Sequence, residues 1–332
     1  MKQFDNQKRY MITGGAGFIG FHLSLALLER GAVVTGFDNL NDYYDVELKK
    51  ARLDILEKQE NYSFEKADLS DKEQVFALFE KYQPDVVINL GAQAGVRYSI
   101  DNPDTYMQSN IMGFFNVLEA CRKYPVEHLV FASSSSVYGG NEKVPFSTED
   151  KVDGPVSLYA ATKKSNELMA HAYSKLYGIP VTGLRFFTVY GPYGRPDMAY
   201  FKFALKIMNG EKIQIYNNGD MQRDFTYVDD VVKGIVNVLC NPPMENKDGV
   251  RYKIYNIGNN TPVRLLDFIS ELEKQLGKEA TKEYLPMQPG DVYQTYADVS
   301  ELMRDFDFKP STPIEEGLAK FVEWFKGYYC IG

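Results

Sequence analysis

Thr13-Gly14-Gly15-Ala16-Gly17-Phe18-Ile19-Gly20 is the stretch that decides the fold of this chain. The apolar run Tyr10-Met11-Ile12-Thr13 leads into it and reads as a strand. Gly17 to Arg30 carries a helical pattern, and Ala32 to Phe37 reads as a second strand. A glycine triplet at this spacing lets the backbone turn tightly, approach a pyrophosphate and pack the helix against the sheet. The free N–H groups of the first helical turn then face the phosphates. Asp38 closes the second strand, where an acid receives the adenosine ribose hydroxyls of a dinucleotide. A carboxylate there repels the extra phosphate of NADP, so the expected cofactor is NAD. Gly14, Gly17, Phe18, Ile19, Gly20, Asp38 and Asn39 are its candidate contacts. Asp68 and Leu69, after a third strand, either meet the adenine edge or cap the next helix.

Outward from this turn, short apolar runs alternate with longer helical patterns, the signature of βαβ units and a parallel sheet. Further strands are expected at Asp85–Asn89, His128–Ser133 and Val181–Phe187, with helices around Lys72–Tyr82, Asn110–Tyr124 and Tyr159–Tyr177. Gly178 and Pro180 supply stop chemistry for the last helix. After Gly191 the pattern loosens into shorter elements separated by Gly, Asn and Pro. The expected fold is α/β, a doubly wound parallel sheet of the Rossmann type with a smaller C-terminal α/β lobe for substrate. Residues 1–190 would form the dinucleotide domain and 191–332 mainly the substrate lobe, with some segments returning to the first.

Composition removes several classes of function. The 332 residues are 44% hydrophobic, 25% charged and 14% aromatic, an ordinary globular balance. A net charge of −8 argues against a nucleic-acid surface, which needs clustered Lys and Arg. It does not argue against an anionic small ligand, which a few local cations and a helix N-terminus can hold. No stretch approaches a membrane span or the apolar core of a signal peptide. Cys121, Cys240 and Cys330 are odd in number and far apart, so neither a disulfide framework nor a metal site is expected. A reducing cytoplasm fits this usage.

Tyr159-Ala160-Ala161-Thr162-Lys163 sets a phenol and an ammonium one helical turn apart on one face. A neighbouring cation stabilises the phenolate and brings its pKa toward working pH, as general base catalysis requires. About 25 residues upstream, Phe131-Ala132-Ser133-Ser134-Ser135-Ser136-Val137-Tyr138-Gly139 is a strand running into a hydroxyl-rich loop. In a doubly wound sheet the carboxyl ends of strands are where ligands sit.

Taken together, the glycine triplet, the serine loop and Tyr159…Lys163 resemble the extended short-chain dehydrogenases/reductases, the sugar-nucleotide epimerases and dehydratases, over about Arg9 to Trp324. That resemblance implies oxidation at carbon 4 of a UDP-sugar by NAD, with Ser134, Tyr159 and Lys163 catalytic. Dehydratases and decarboxylases of the group carry carboxylates at the places held here by Ser135 and Ser136. Epimerisation needs none. Gly191 to Ala199, with Arg195, resembles UDP-glucuronate 4-epimerases; so do Gln93 to Ser99, with Arg97, and Gln288 to Val292, with Asp291. In these enzymes a Thr and a Ser hold the sugar carboxylate, implying Thr188 and Ser135, with Ser136 beside them. Arg223 matches the family arginine on the UDP phosphates. Gly91 and Tyr193 depart from the residues many relatives carry. A UDP-glucose/UDP-galactose 4-epimerase, a UDP-glucuronate decarboxylase and a non-catalytic NAD-binding regulator are the competing readings. Family members usually pair through two long helices, which implies a homodimer. The apolar stripe Leu158, Ala161, Leu168, Ala172 and Leu176 would serve it, or would be buried within the monomer.

Overall fold

Tyr10, Met11 and Ile12 are all buried, which is why this strand is apolar throughout instead of alternating: both its faces are covered. A computed structural model describes residues 2–287 and 293–330 of the chain. Its strands, in chain order, are β1 (Arg9–Thr13), β2 (Val33–Asp38), β3 (Tyr62–Lys66), β4 (Val86–Asn89), β5 (His128–Ser134), β6 (Val181–Phe186), β7 (Thr188–Tyr190), β8 (Lys212–Ile215), β9 (Gln222–Tyr227), β10 (Tyr252–Ile257), β11 (Pro262–Arg264) and β12 (Thr281–Tyr284). Seven of them form one sheet in the order β10-β6-β5-β4-β1-β2-β3, every pairing parallel. Chain order reverses between β1 and β4, the crevice where such sheets take ligands.

Helices cover both faces. They are α1 (Phe18–Leu28), α2 (Val46–Leu56), α3 (Lys72–Tyr82), the single turns α4 (Tyr98–Asp101) and α5 (Pro103–Tyr106), α6 (Gly113–Lys123), α7 (Leu158–Tyr177), α8 (Ala199–Asn209), α9 (Val228–Leu239), α10 (Leu265–Leu276), α11 (Ser300–Phe306) and α12 (Ile314–Tyr329). Successive strand residues point to opposite faces. Ile12, Ile88 and Val130 accordingly join a core that includes α1 and the C-terminal elements, while Met11, Val87 and Leu129 join a second core with Phe79 and Phe114.

Outside the large sheet the chain forms a three-stranded sheet, β11-β9-β7, and a parallel pair, β8 with β12. β7 already belongs to the smaller sheet, and β10 returns to the large one. The chain therefore passes between the two sheets more than once. Val181–Phe187, expected as one strand, ends at Phe186, and the next strand starts at Thr188. The helix expected over Asn110–Tyr124 also differs. Met107–Met112 forms a wide π turn before α6 starts at Gly113. The buried Asn110 side chain bonds the backbone of Gln93 and the hydroxyl of Thr162, tertiary partners that favour such a bulge. Among the described residues no helix is long and apolar enough to cross a membrane.

Candidate active site

The turn after β1 is shaped as a cradle. Gly14 has φ +68°, and a Cβ there would stand 2.8 Å from the Gly91 nitrogen. A Cβ at Gly20 would lie 2.3 Å from the Gly14 carbonyl oxygen, so helix and turn meet at a distance only glycine allows. The helix α1 starts with no side-chain cap and no acid in its first turn. Its leading N–H groups are left for an anion. These features fit a dinucleotide pyrophosphate. Gly91, one of the departures from the family pattern, has a local cause: a Cβ there would meet Leu69 Cδ1 at 2.7 Å and Thr13 Oγ1 at 2.9 Å.

At the end of β2, Asp38 faces the same cavity and pairs with the buried Lys49 ammonium of α2 at 3.3 Å. Asp68 is not the cap of α3; that part is taken by Asp71, which accepts from Gln74 N at 3.0 Å. Asp68 instead accepts from Asn39 Nδ2 at 2.8 Å and from the Ser70 nitrogen and hydroxyl. Burial pushes its carboxyl upward, but these hydrogen bonds outweigh that and hold it below its ordinary value.

Ser157 caps α7 by accepting from Ala160 N at 3.1 Å, which starts the helix so that Tyr159 and Lys163 face the carboxyl end of β5. Lys163 Nζ donates to the Ala132 carbonyl at 2.9 Å and lies 6.0 Å from the Tyr159 ring centre. Ser134 Oγ accepts from Ser136 N at 3.1 Å and shares the cavity wall with Tyr159. Burial pushes the Tyr159 phenol above its ordinary value, while the Ser134 hydroxyl and then the Arg195 charge pull it down and Asp197 opposes them. Lys163 is lowered to about 8, by burial first and by Arg195 second. Lys163, expected from its spacing to lower the phenol, is not among the groups that shift it; the lowering comes from Ser134 and Arg195, and burial outweighs both.

Arg195 is held by Asp197 through bonds of 3.0 and 2.5 Å, and Asp197 also accepts from Tyr43 OH at 3.3 Å. Burial raises the Asp197 carboxyl, yet Arg195 keeps it below the ordinary carboxylate range. Across the cavity Arg97 stacks over the Tyr216 ring at 4.7 Å, and Arg223 Nη1 donates to the carbonyls of Gln222 and Tyr293.

One cavity of about 920 Å³ is lined by Gly14, Gly17, Phe18, Ile19, Gly20, Asp38, Asn39, Asp68, Leu69, Ser134, Ser135, Ser136, Tyr159, Lys163, Thr188, Arg97, Arg195 and Arg223. Asp291 lies outside the described residues. A model of the NAD-dependent epimerase/dehydratase family matches residues 10–258. The chain belongs to this family. It is 55% identical to Protein CapI of Staphylococcus aureus, over 97% of this chain and 99% of that one. It is 47% identical to a probable UDP-glucuronate 4-epimerase of Rhizobium meliloti, over 97% and 98%. The crystal structure of the Bacillus cereus UDP-glucuronic acid 4-epimerase, in complex with UDP-glucuronic acid and NAD, is similar with a TM-score of 0.88 and 35% identity, covering 97% of this chain and all of that one.

Sequence reading of this epimerase/dehydratase family member missed several lining residues: Lys49, Tyr43, Asp197, Lys202 and Lys206. Lys202 and Lys206 are one helical turn apart on α8, a spacing that was readable. Lys49 gave no signal, because its partner Asp38 sits on another element.

Proposed function

We propose that this protein is an NAD-dependent 4-epimerase that interconverts UDP-glucuronate and UDP-galacturonate. The observation that carries the reading is a shared wall: the Gly-rich cradle, the Ser134–Tyr159–Lys163 group and Thr188 line a single cavity. In this reading the adenosine ribose meets Asp38, the adenine edge meets Asp68 and Leu69, and the pyrophosphate sits on Gly14 to Gly20. NAD, when bound, supplies a reversible acceptor for the hydride of sugar carbon 4.

Tyr159, as phenolate, accepts the proton of the 4-hydroxyl as that hydride leaves. Ser134 aligns the 4-oxygen, and Lys163 supports the phenolate and holds the nicotinamide ribose. The 4-ketone then turns within the cleft, and Tyr159 returns its proton to the oxygen as hydride is delivered to the opposite face. Ser135 and Thr188, with Ser136 adjacent, offer hydroxyls to the sugar carboxylate. A 4-keto uronate loses CO2 only when the breaking bond aligns with the carbonyl π system, and this grip prevents it. Arg223, Arg97, Arg195 and the α8 lysines supply positive charge for the diphosphate and uronate. The smaller lobe is the part we assign to the nucleotide sugar.

Elimination or decarboxylation chemistry has no support at the hydroxyl turn. Among the described lining residues the acids are Asp38, Asp68 and Asp197. The first two sit at the adenosine end, and Asp197 is locked to Arg195 as a carboxylate. We also propose a homodimer: Leu168 and Leu176 on α7 are 60% and 69% exposed, so burial within the monomer does not account for this part of the stripe. A cytoplasmic setting goes with this reading.

An NMR time course with UDP-glucuronate and catalytic NAD tests the proposal. UDP-galacturonate should accumulate to equilibrium without CO2 release. Turnover of UDP-glucose alone, or release of CO2, would overturn the assignment of substrate or reaction.

A further inference from the structure

Of three successive residues at the end of β5, two are tied to α7 and the third faces the phenol that α7 carries. The Ala132 carbonyl accepts from Lys163 Nζ at 2.9 Å, Ser133 Oγ donates to Glu167 Oε1 at 2.7 Å, and Ser134 lines the cavity with Tyr159. Tyr159, Lys163 and Glu167 recur every fourth residue and share one helix face. Two of them line the cavity, whereas Glu167 is buried behind it, 3% exposed. A carboxylate so placed is costly unless its charge and lone pairs are met. Arg185 of β6 meets them in a two-pronged pair, Nε to Oε1 at 2.8 Å and Nη2 to Oε2 at 2.9 Å. Lys164 Nζ stands 3.8 Å from Oε2.

The same guanidinium reaches further. Arg185 Nη1 donates to Tyr138 OH at 3.0 Å, and Tyr138 OH donates to Asn256 Oδ1 at 2.7 Å. Asn256 Nδ2 in turn donates to the carbonyl of Phe146 at 2.7 Å. Ser133 and Tyr138 stand at the two ends of the hydroxyl-rich turn that carries Ser134, Ser135 and Ser136. One buried ion pair therefore grips both ends of that turn and ties it to the helix bearing the phenol and the ammonium.

We propose that Glu167 and Arg185 are positioning residues for the reaction: their buried pair clamps Ser133 and Tyr138 and so holds Ser134 in register with Tyr159. The proposal rests on the reading of Tyr159 as the proton acceptor. The groups that face the phenol are Ser134 from β5, Arg195 and Asp197 from the loop before α8, the Tyr106 ring edge from α5 at 6.0 Å, and Lys163 from its own helix. Only Ser134 owes its place to the clamp. A hydroxyl held beside the phenol favours the phenolate. Slackening the clamp therefore raises the pH at which the base form is reached, and the acidic limb of the rate profile moves upward.

Ser133→Ala in the full-length enzyme cuts one arm without stranding a charge. With saturating NAD and UDP-glucuronate, kcat should fall about tenfold, the order expected for one misaligned hydrogen bond. KM should stay within about twofold, since substrate binding is untouched. The acidic limb should shift upward, and Ser133→Thr, which keeps the hydroxyl, should restore it. Tyr138→Phe cuts the other arm and should shift the limb in the same direction. Thermal melting of each variant confirms a folded chain, and a variant that fails to fold leaves the other arm to be read. Folded variants with a wild-type limb, or with a kcat loss and no shift, would overturn the clamp. An inactive wild type would instead overturn the reading on which it rests.

Discussion

Single residues carried most of the legible chemistry. Tyr159 and Lys163 were readable because helical spacing alone puts them on one face, and Gly14 and Gly20 because only glycine tolerates their contacts. Asp38 was readable from its position, but its pairing with Lys49 was not, since the two meet only in the folded chain. That pairing sharpens the expected cofactor discrimination. Asp38→Ser removes the carboxylate we propose for the ribose hydroxyls and leaves the Lys49 ammonium able to meet a 2′-phosphate. Charge-assisted hydrogen bonds contribute about 1.5–3 kcal/mol, so NAD binding should weaken roughly tenfold or more. NADP binding should strengthen relative to it, as titration of both cofactors would reveal. An unchanged ratio of the two dissociation constants would contradict the role given to Asp38. Asp68 illustrates the opposite limit. Capping and cofactor contact were equally open in the sequence, and only the position of Asp71 at the start of α3 removed the first.

Whole elements were legible where the pattern was long and periodic, as in α3 and α7, which start and end within a residue of expectation. They were not where tertiary partners reshape a helix, as the buried Asn110 does at the π turn. The helix α2 was also unread, although it carries Lys49 and Arg52. Arg52 is fully buried and donates to the carbonyls of Ala16 at 2.8 Å and Tyr193 at 2.7 Å, and to Tyr44 OH at 2.9 Å. It joins the Gly-rich turn to the loop that holds Arg195, two elements far apart in sequence. Arg52→Leu leaves these acceptors buried without a donor, at about 1–3 kcal/mol each. The melting midpoint should fall by roughly 5–10 °C, and NAD affinity should fall with it because the cradle loosens. Calorimetry and cofactor titration check both. A variant that melts and binds NAD like the wild type would show the joint to be dispensable. Arg52→Lys should rescue little, since a single ammonium cannot reproduce the guanidinium fork.

At the scale of the molecule, the doubly wound sheet was foreseeable from alternating strands and helices and some later segments were expected to return to it, while which strand returns was not. The return of β10 to the large sheet is a long-range pairing with β6, and no local pattern encodes such a partner. The exposed stripe on α7 was foreseeable as apolar, but its exposure needed the fold. Replacing Leu168 and Leu176 together by Glu should give a particle of one 37.8 kDa chain by light scattering, where the unaltered protein gives twice that mass. A monomeric wild type would remove the dimer. The reaction we propose belongs to the whole cleft, because the cradle, the hydroxyl turn and α7 line one cavity. Its most direct test is UDP-glucuronate deuterated at sugar carbon 4, turned over in ordinary water with catalytic NAD. The account predicts that UDP-galacturonate keeps the deuterium at carbon 4, since the hydride leaves and returns inside the closed site; loss of the label to solvent would contradict it.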